Sequence, residues 1–262
     1  MKSYNTGYKI AVIVLSFVII IQWILLIKPK PKPTPEVIPP AVKGMIAIVL
    51  DDWGYNLNNL ELLRQIKYPL TVSVLPGLSY SKSVAVQLHQ KGCQIILHLP
   101  MEPQARQKFR LEKNTIMVSM NEAEIKNIIA EDLSNVPYLQ GVSNHMGSKA
   151  TEDAGTMAVI FRELKKRHLY FLDSFASEES VCLDLAHKMR LAFARRDIFL
   201  DNQDNPEYIR GQIYKLKTRA RVYGRAIGIG HDRKATLEVL KEMMPKLSKE
   251  GYKFVFVSEL VK

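Results

Sequence analysis

Cysteine is nearly absent: Cys93 and Cys182 are the two in 262 residues, and their spacing matches no metal-ligand motif. They read as buried free thiols, with pairing and redox compartment left open. No G-x-G-x-x-G fingerprint follows the first strand-like run, which argues against a dinucleotide-binding fold. Nor does any basic stripe interleave with aromatics, so the formal charge of +11 is no nucleic-acid footprint. That charge is uneven. Residues 1–43 hold six lysines and one glutamate, and the remainder holds 31 basic and 25 acidic residues. A modest excess of this kind suits an anionic polymer or a membrane surface.

The chain does have one long apolar run. From Ile10 to Ile27 only Ser16 and Gln22 are polar, which is about the minimum length for a membrane-spanning helix. The run is too long for most signal-peptide cores, and no small-x-small cleavage site follows it. Residues 1–28 therefore read as an uncleaved signal anchor, with a cleaved signal peptide as the minority reading; Trp23 suits the interface. Lysines flank the run on both sides, so charge does not orient it. The short leader is placed inside and the large domain outside, in the periplasm or cell envelope. Residues 29–43, with Lys-Pro repeats continuing to Pro39-Pro40, read as an extended polyproline spacer.

From Gly44 to Lys262 strand-like and helix-like patterns alternate. Strands are expected at Met45–Leu50, Leu70–Leu75, Gln94–Leu97, Gln140–Ser143, Tyr170–Leu172, Ile198–Leu200, Ala226–Ile229 and Phe254–Val257. Helices are expected between them, including Asn56–Ile66, Asn121–Leu133, Glu152–Arg167 and Glu178–Ala194. This pattern predicts an α/β domain: an irregular (β/α) barrel of about seven to eight parallel strands, compact or incomplete, with an open doubly wound sheet as the alternative. The stretch Pro100–Ser119 is the longest non-helical connection. It carries Arg106, Lys108, Phe109, Arg110 and Lys113, and reads either as a lid or substrate edge or as a solvated insertion.

The first strand, Ile46-Ala-Ile-Val-Leu50, runs into Asp51-Asp52-Trp53-Gly54. Adjacent strand residues face opposite ways, so two neighbouring aspartates can do different jobs if the chain turns there. Other strand ends repeat the theme with His98, Asn144-His145, Asp173-Ser174, Asp201-Asn202 and His231-Asp232. In a parallel barrel the strands' C-terminal ends form one rim, where catalytic residues gather. Three histidines with several carboxylates on one rim suit a divalent metal, zinc first, that leaves a position open for water. A metal-free glycosidase pairing Asp51 with Asp173 or Asp201 is the competing scheme. His89, His168 and His187 fall within or at the end of helical patterns and read as surface or capping residues.

The motifs Leu50-Asp-Asp-Trp-Gly54, His98-Leu-Pro-Met-Glu-Pro103, Asn144-His-Met-Gly-Ser148, Phe171-Leu-Asp-Ser174, Phe199-Leu-Asp-Asn202 and Ile229-Gly-His231 resemble the divergent polysaccharide deacetylase family, the YibQ-like proteins. That family is a distant branch of the NodB-homology deacetylases. The resemblance implies a NodB-like barrel and a metal-dependent deacetylase acting on a cell-envelope glycan. It maps the general base onto Asp51, a metal ligand onto Asp52 and the general acid onto His231. Asp173 would orient that histidine or bind substrate. The wider superfamily has a second histidine ligand four residues after the first; here His98 is followed by Glu102. Asp52, His98 and His145 are the preferred ligand set, with Glu102 as the substitute for His145. A degenerate glycan- or envelope-binding module on the same barrel is the alternative function.

Overall fold

A computed structural model describes residues 4–27 and 42–262 of the protein. The chain divides into two units, Met1–Pro40 and Ala41–Lys262. The proposed spacer at residues 29–43 lies almost wholly outside the described residues. In the first unit, helix α1 (Tyr4–Leu26) contains Gly7–Leu26, with a mean hydropathy of 2.6. Among the described residues it is the one helix long and apolar enough to cross a membrane.

The second unit is built around β1 (Gly44–Trp53). The chain continues through α2 (Leu60–Arg64), β2 (Thr71–Val74), α3 (Ser81–Gln90) and β3 (Gln94–Met101). After α4 (Glu122–Asn135) come β4 (Leu139–Met146), α5 (Ala154–Lys166), β5 (Tyr170–Asp173) and α6 (Cys182–Met189). Next are β6 (Phe193–Arg195), β7 (Ile198–Phe199), α7 (Pro206–Tyr223), β8 (Arg225–His231), α8 (Lys234–Lys249) and β9 (Tyr252–Val255). The strands form one parallel sheet in the order β6-β5-β4-β3-β2-β1-β8-β7. One edge of β1 is shared: β9 pairs with Gly44–Ala47, and β2 takes over from Val49. The sheet curls without closing, as the incomplete barrel predicts.

Alternation along the strands sorts the core into two layers. Ile46, Ile48 and Leu50 face the helices and join the larger apolar cluster. Ala47 and Val49 face the interior, in a second cluster with Ile96, Leu172, Ile227 and Ile229. Gly228 belongs to the outer row, where a Cβ would come within 2.7 Å of the Leu216 side chain of α7; the bare glycine admits that helix.

Three local expectations are corrected. The helix expected over Asn56–Ile66 is only the five residues of α2. The helix expected over Glu178–Ala194 stops at Met189. Arg190 takes a left-handed cap (φ 52°), and Phe193 pairs with Phe171 as a ninth strand. An aromatic and alanines adjoining a helical pattern carried no sign of the break. The stretch Pro100–Ser119 is also tied down: β3 runs on to Met101, and Met101 bridges Ile116. Helix α4 opens with a capping box. Asn121 accepts from the Ala123 and Glu124 amides, while Glu124 reaches back to the Asn121 amide. Asn121→Ala should cost about 1 kcal/mol and lower the midpoint of thermal unfolding by about 2–4 °C, measured by circular dichroism.

Candidate metal centre

The inward rows that are apolar at mid-barrel turn polar one step further along. On β1 the row Ala47-Val49 continues to Asp51, on β3 Ile96 continues to His98, and on β8 Ile227-Ile229 continues to His231. Register aligns them: Asp51 sits beside His231, and His98 beside Ser143. Asp52 would point away in a regular strand. Its φ of 64° breaks the alternation and coincides with a shift in the β1–β2 register, so both neighbouring carboxylates line one cleft of about 200 Å³. Aspartate tolerates the left-handed region better than most residues.

His98 Nε2 lies 3.2 Å and His145 Nδ1 3.1 Å from Asp52 Oδ1. One ligand atom from each of Asp52, His98 and His145 falls within 4.8 Å of the others. Asp52 Oδ1 is buried without a hydrogen-bond partner, although two imidazole nitrogens stand close by. Three candidate ligand atoms thus cluster in one place, an arrangement that could hold a divalent cation. The far nitrogen of His98, Nδ1, meets Ser143 Oγ at 2.9 Å, and Ser143 meets Ser73 at 2.6 Å. That outer contact fixes the ring and keeps Nε2 toward the cleft.

Charge is distributed unequally between the two aspartates. Burial pushes the Asp51 carboxyl upward, and His98 and His231 only partly offset it. Burial acts on Asp52 too, but the His145 and His98 imidazoles outweigh it and hold the carboxyl far below the usual range. Asp51 Oδ1 is likewise buried and unpartnered. His231 stands across the cleft, its Nε2 4.0 Å from Asp52 Oδ2. Burial would lower its pKa, but the Asp201 carboxylate raises it above the ordinary value.

Asp201, not Asp173, orients His231. Its Oδ1 is 2.8 Å from His231 Nδ1, and its Oδ2 accepts from the His231 amide and Thr236 Oγ1. Asp173 is spent on its own turn, accepting from the Phe175 amide and Ser180 Oγ. The two carboxylates that a metal-free glycosidase would have paired with Asp51 are therefore both committed elsewhere. Glu102 also lies outside the donor cluster. Pro100 and Pro103 flank it, and an extended strand carries it about 13 Å along from His98. There it accepts from the Val118 amide and from Lys149 Nζ, pinning the long connection down.

The sequence reading missed Arg196, which lines the cleft beside Asp51 and donates to the Ser174 and Phe175 carbonyls. It also missed Ser73, Ser143 and Phe199, whose ring lies 5.1 Å from that of His231. His89, His168 and His187 are exposed and away from the cleft.

Residues 48–261 match the family model described as divergent polysaccharide deacetylase. The uncharacterized protein YibQ of Escherichia coli K12 is 36% identical over 208 residues, covering 79% of this chain and 65% of that protein. The chain thus spans a little under two thirds of that relative's length. An uncharacterized protein of Agrobacterium tumefaciens C58 superposes with a TM-score of 0.81 at 20% identity, over 85% of this chain and 91% of that one. The catalytic domain of a peptidoglycan N-acetylglucosamine deacetylase from Eubacterium rectale superposes at 0.50 and 12% identity, over 86% and 92%. The fold is NodB-like.

Asp52→Ala and His145→Ala should each remove most of the zinc held by purified protein, read by elemental analysis. Glu102→Gln should keep the zinc and instead lower stability by about 1–3 kcal/mol, through loss of charged hydrogen bonds. Zinc content unchanged in His145→Ala would remove His145 from the ligand set.

Proposed function

The chain belongs to the divergent polysaccharide deacetylase family, and on that premise we propose that it is a membrane-anchored, metal-dependent hydrolase removing acetyl groups from a cell-envelope glycan. The observation that carries this reading is the convergence of Asp51, Asp52, His98, His145 and His231 on one cleft. The Eubacterium rectale neighbour, by its name, acts on an N-acetylated glycan. Supporting the anchored location is the apolar helix at Gly7–Leu26, and supporting an anionic glycan is the basic Pro100–Ser119 connection.

Asp52, His98 and His145 would hold the metal. When bound, it supplies Lewis acidity, activating water and polarising the acyl carbonyl. Asp51 is the base: buried, with one oxygen unpartnered and its affinity for protons raised, it takes the proton from the attacking water. His231 is the acid. Asp201 fixes its Nδ1 and favours the protonated ring, so Nε2 can deliver a proton to the departing sugar amine. The two groups sit side by side in the β1–β8 register and line the same cleft. Arg196, held by two carbonyls, adds positive charge to the cleft near Asp51.

The test is acetate release from an N-acetylated glycan by the zinc-loaded full chain. Asp51→Asn and His231→Ala should each reduce turnover by about 10²–10⁴-fold while zinc stays bound. Glycan binding without acetate release from the parent protein would overturn the enzymatic reading in favour of a binding module.

A further inference from the structure

We propose that the base of the domain is a docking face for an anionic phospholipid surface, formed by the C-terminal half of α7 and the basic cavity beside it. The inference rests on the membrane-anchored reading above and deepens it.

Helical spacing puts Tyr214, Thr218 and Val222 on one stripe of α7, with Lys215 and Arg221 along its two sides. The stripe is open: Tyr214 is 51% exposed, Val222 67% and the neighbouring Tyr223 65%. Among the described residues, neither Lys215 nor Arg221 has an ion-pair partner. Aromatic and aliphatic groups rimmed by unpaired cations are the composition of a surface that lies in a headgroup layer.

A cavity of about 380 Å³, lined from β6 and β8 near the open side of the curled sheet, adjoins this stripe. Arg195, Arg219, Arg225 and Lys262 line it with Asp197, which Arg219 already pairs with at 2.6 Å. Phe193 and Leu260 give it an apolar floor. A cavity with an apolar floor and surplus cations suits an anionic headgroup attached to an acyl chain.

The face lies at the end of the domain where β1 begins. The Met45 amide donates to the Gly224 carbonyl at the end of α7, and a Cβ on Gly44 would come within 2.5 Å of the Ala220 carbonyl. The first strand of the domain therefore begins against the C-terminal end of α7. β1 then rises about 23 Å from Gly44 to Asp51. Docking the base would aim the cleft away from the membrane, toward a polymer in the envelope.

The test places the full chain in lipid nanodiscs with an environment-sensitive dye on Val222→Cys; the native cysteines are buried and resist labelling. A second sample carries the dye on Lys113→Cys, in the Pro100–Ser119 connection. Quenching by headgroup-level quenchers at position 222 should be about threefold stronger in phosphatidylglycerol discs than in phosphatidylcholine discs. Lys215→Glu with Arg221→Glu should abolish the difference, and position 113 should show none. Equal quenching in the two lipids, or insensitivity to charge reversal, overturns the docking face while leaving the anchor intact. Failure of the chain to enter discs of either lipid overturns the anchored reading and this inference with it.

Discussion

One backbone angle makes the cleft. At Asp52 the chain adopts φ 64°, and two adjacent aspartates that a strand would send to opposite faces are brought to the same one. The cost is of order 1 kcal/mol, and it falls on a residue type that accepts the left-handed region more readily than most. The strand is held on both sides of the distortion. Asp51 stays in register with His231 on β8, while Trp53 is already paired with Val74 on β2. Neither neighbour can follow the kink, so the strain is fixed in place. A regular strand here would bury Asp51 alone and turn Asp52 into the helix layer, where nothing could pair with it.

Around that kink the interior changes character over a single step of each strand. Val49, Ile96 and Ile229 form an apolar floor, and Asp51, His98 and His231 sit directly beyond them. Desolvation by the floor is what separates the two aspartates chemically. Asp51 feels burial with little compensation, whereas Asp52 has two imidazoles against one oxygen. The outer contacts follow the same logic. Ser143 braces His98, and Asp201 braces His231 from a fully buried position. Each ring is thereby left with one nitrogen for the cleft.

Most of this was legible as strand-end chemistry. The parallel α/β plan and the rim residues Asp51, His98, His145 and His231 follow from periodicity and strand ends, whereas the preference for His145 over Glu102 as a donor comes from the family resemblance, helped by the two prolines around Glu102. Illegible parts had physical reasons. β6 lies next to a helix whose end depends on one left-handed arginine, a conformation that propensity does not reveal. Asp173 and Asp201 look alike in sequence, each ending a Phe-Leu-Asp triplet. Only sheet order separates them: β7, which leads into Asp201, pairs with β8 and His231, while β5 lies on the far side between β4 and β6. Arg196 and the Ser73–Ser143 pair act through contacts 21 to 70 residues away in the chain, beyond the reach of local pattern.

The same strand that carries the kink also fixes the domain's polarity. At its start, Gly44 has no side chain because the Ala220 carbonyl of α7 occupies that space. At its end, Asp51 and Asp52 enter the cleft. A rigid parallel strand joins these two points, so whatever approaches the base and whatever enters the cleft do so from opposite ends. The charges are sorted accordingly. Surplus arginine and lysine gather at the open seam of the sheet near the base, and the carboxylates gather at the rim, where imidazoles and a cation can balance them. Parallel topology produces this sorting without further design, because every strand begins at one end and finishes at the other.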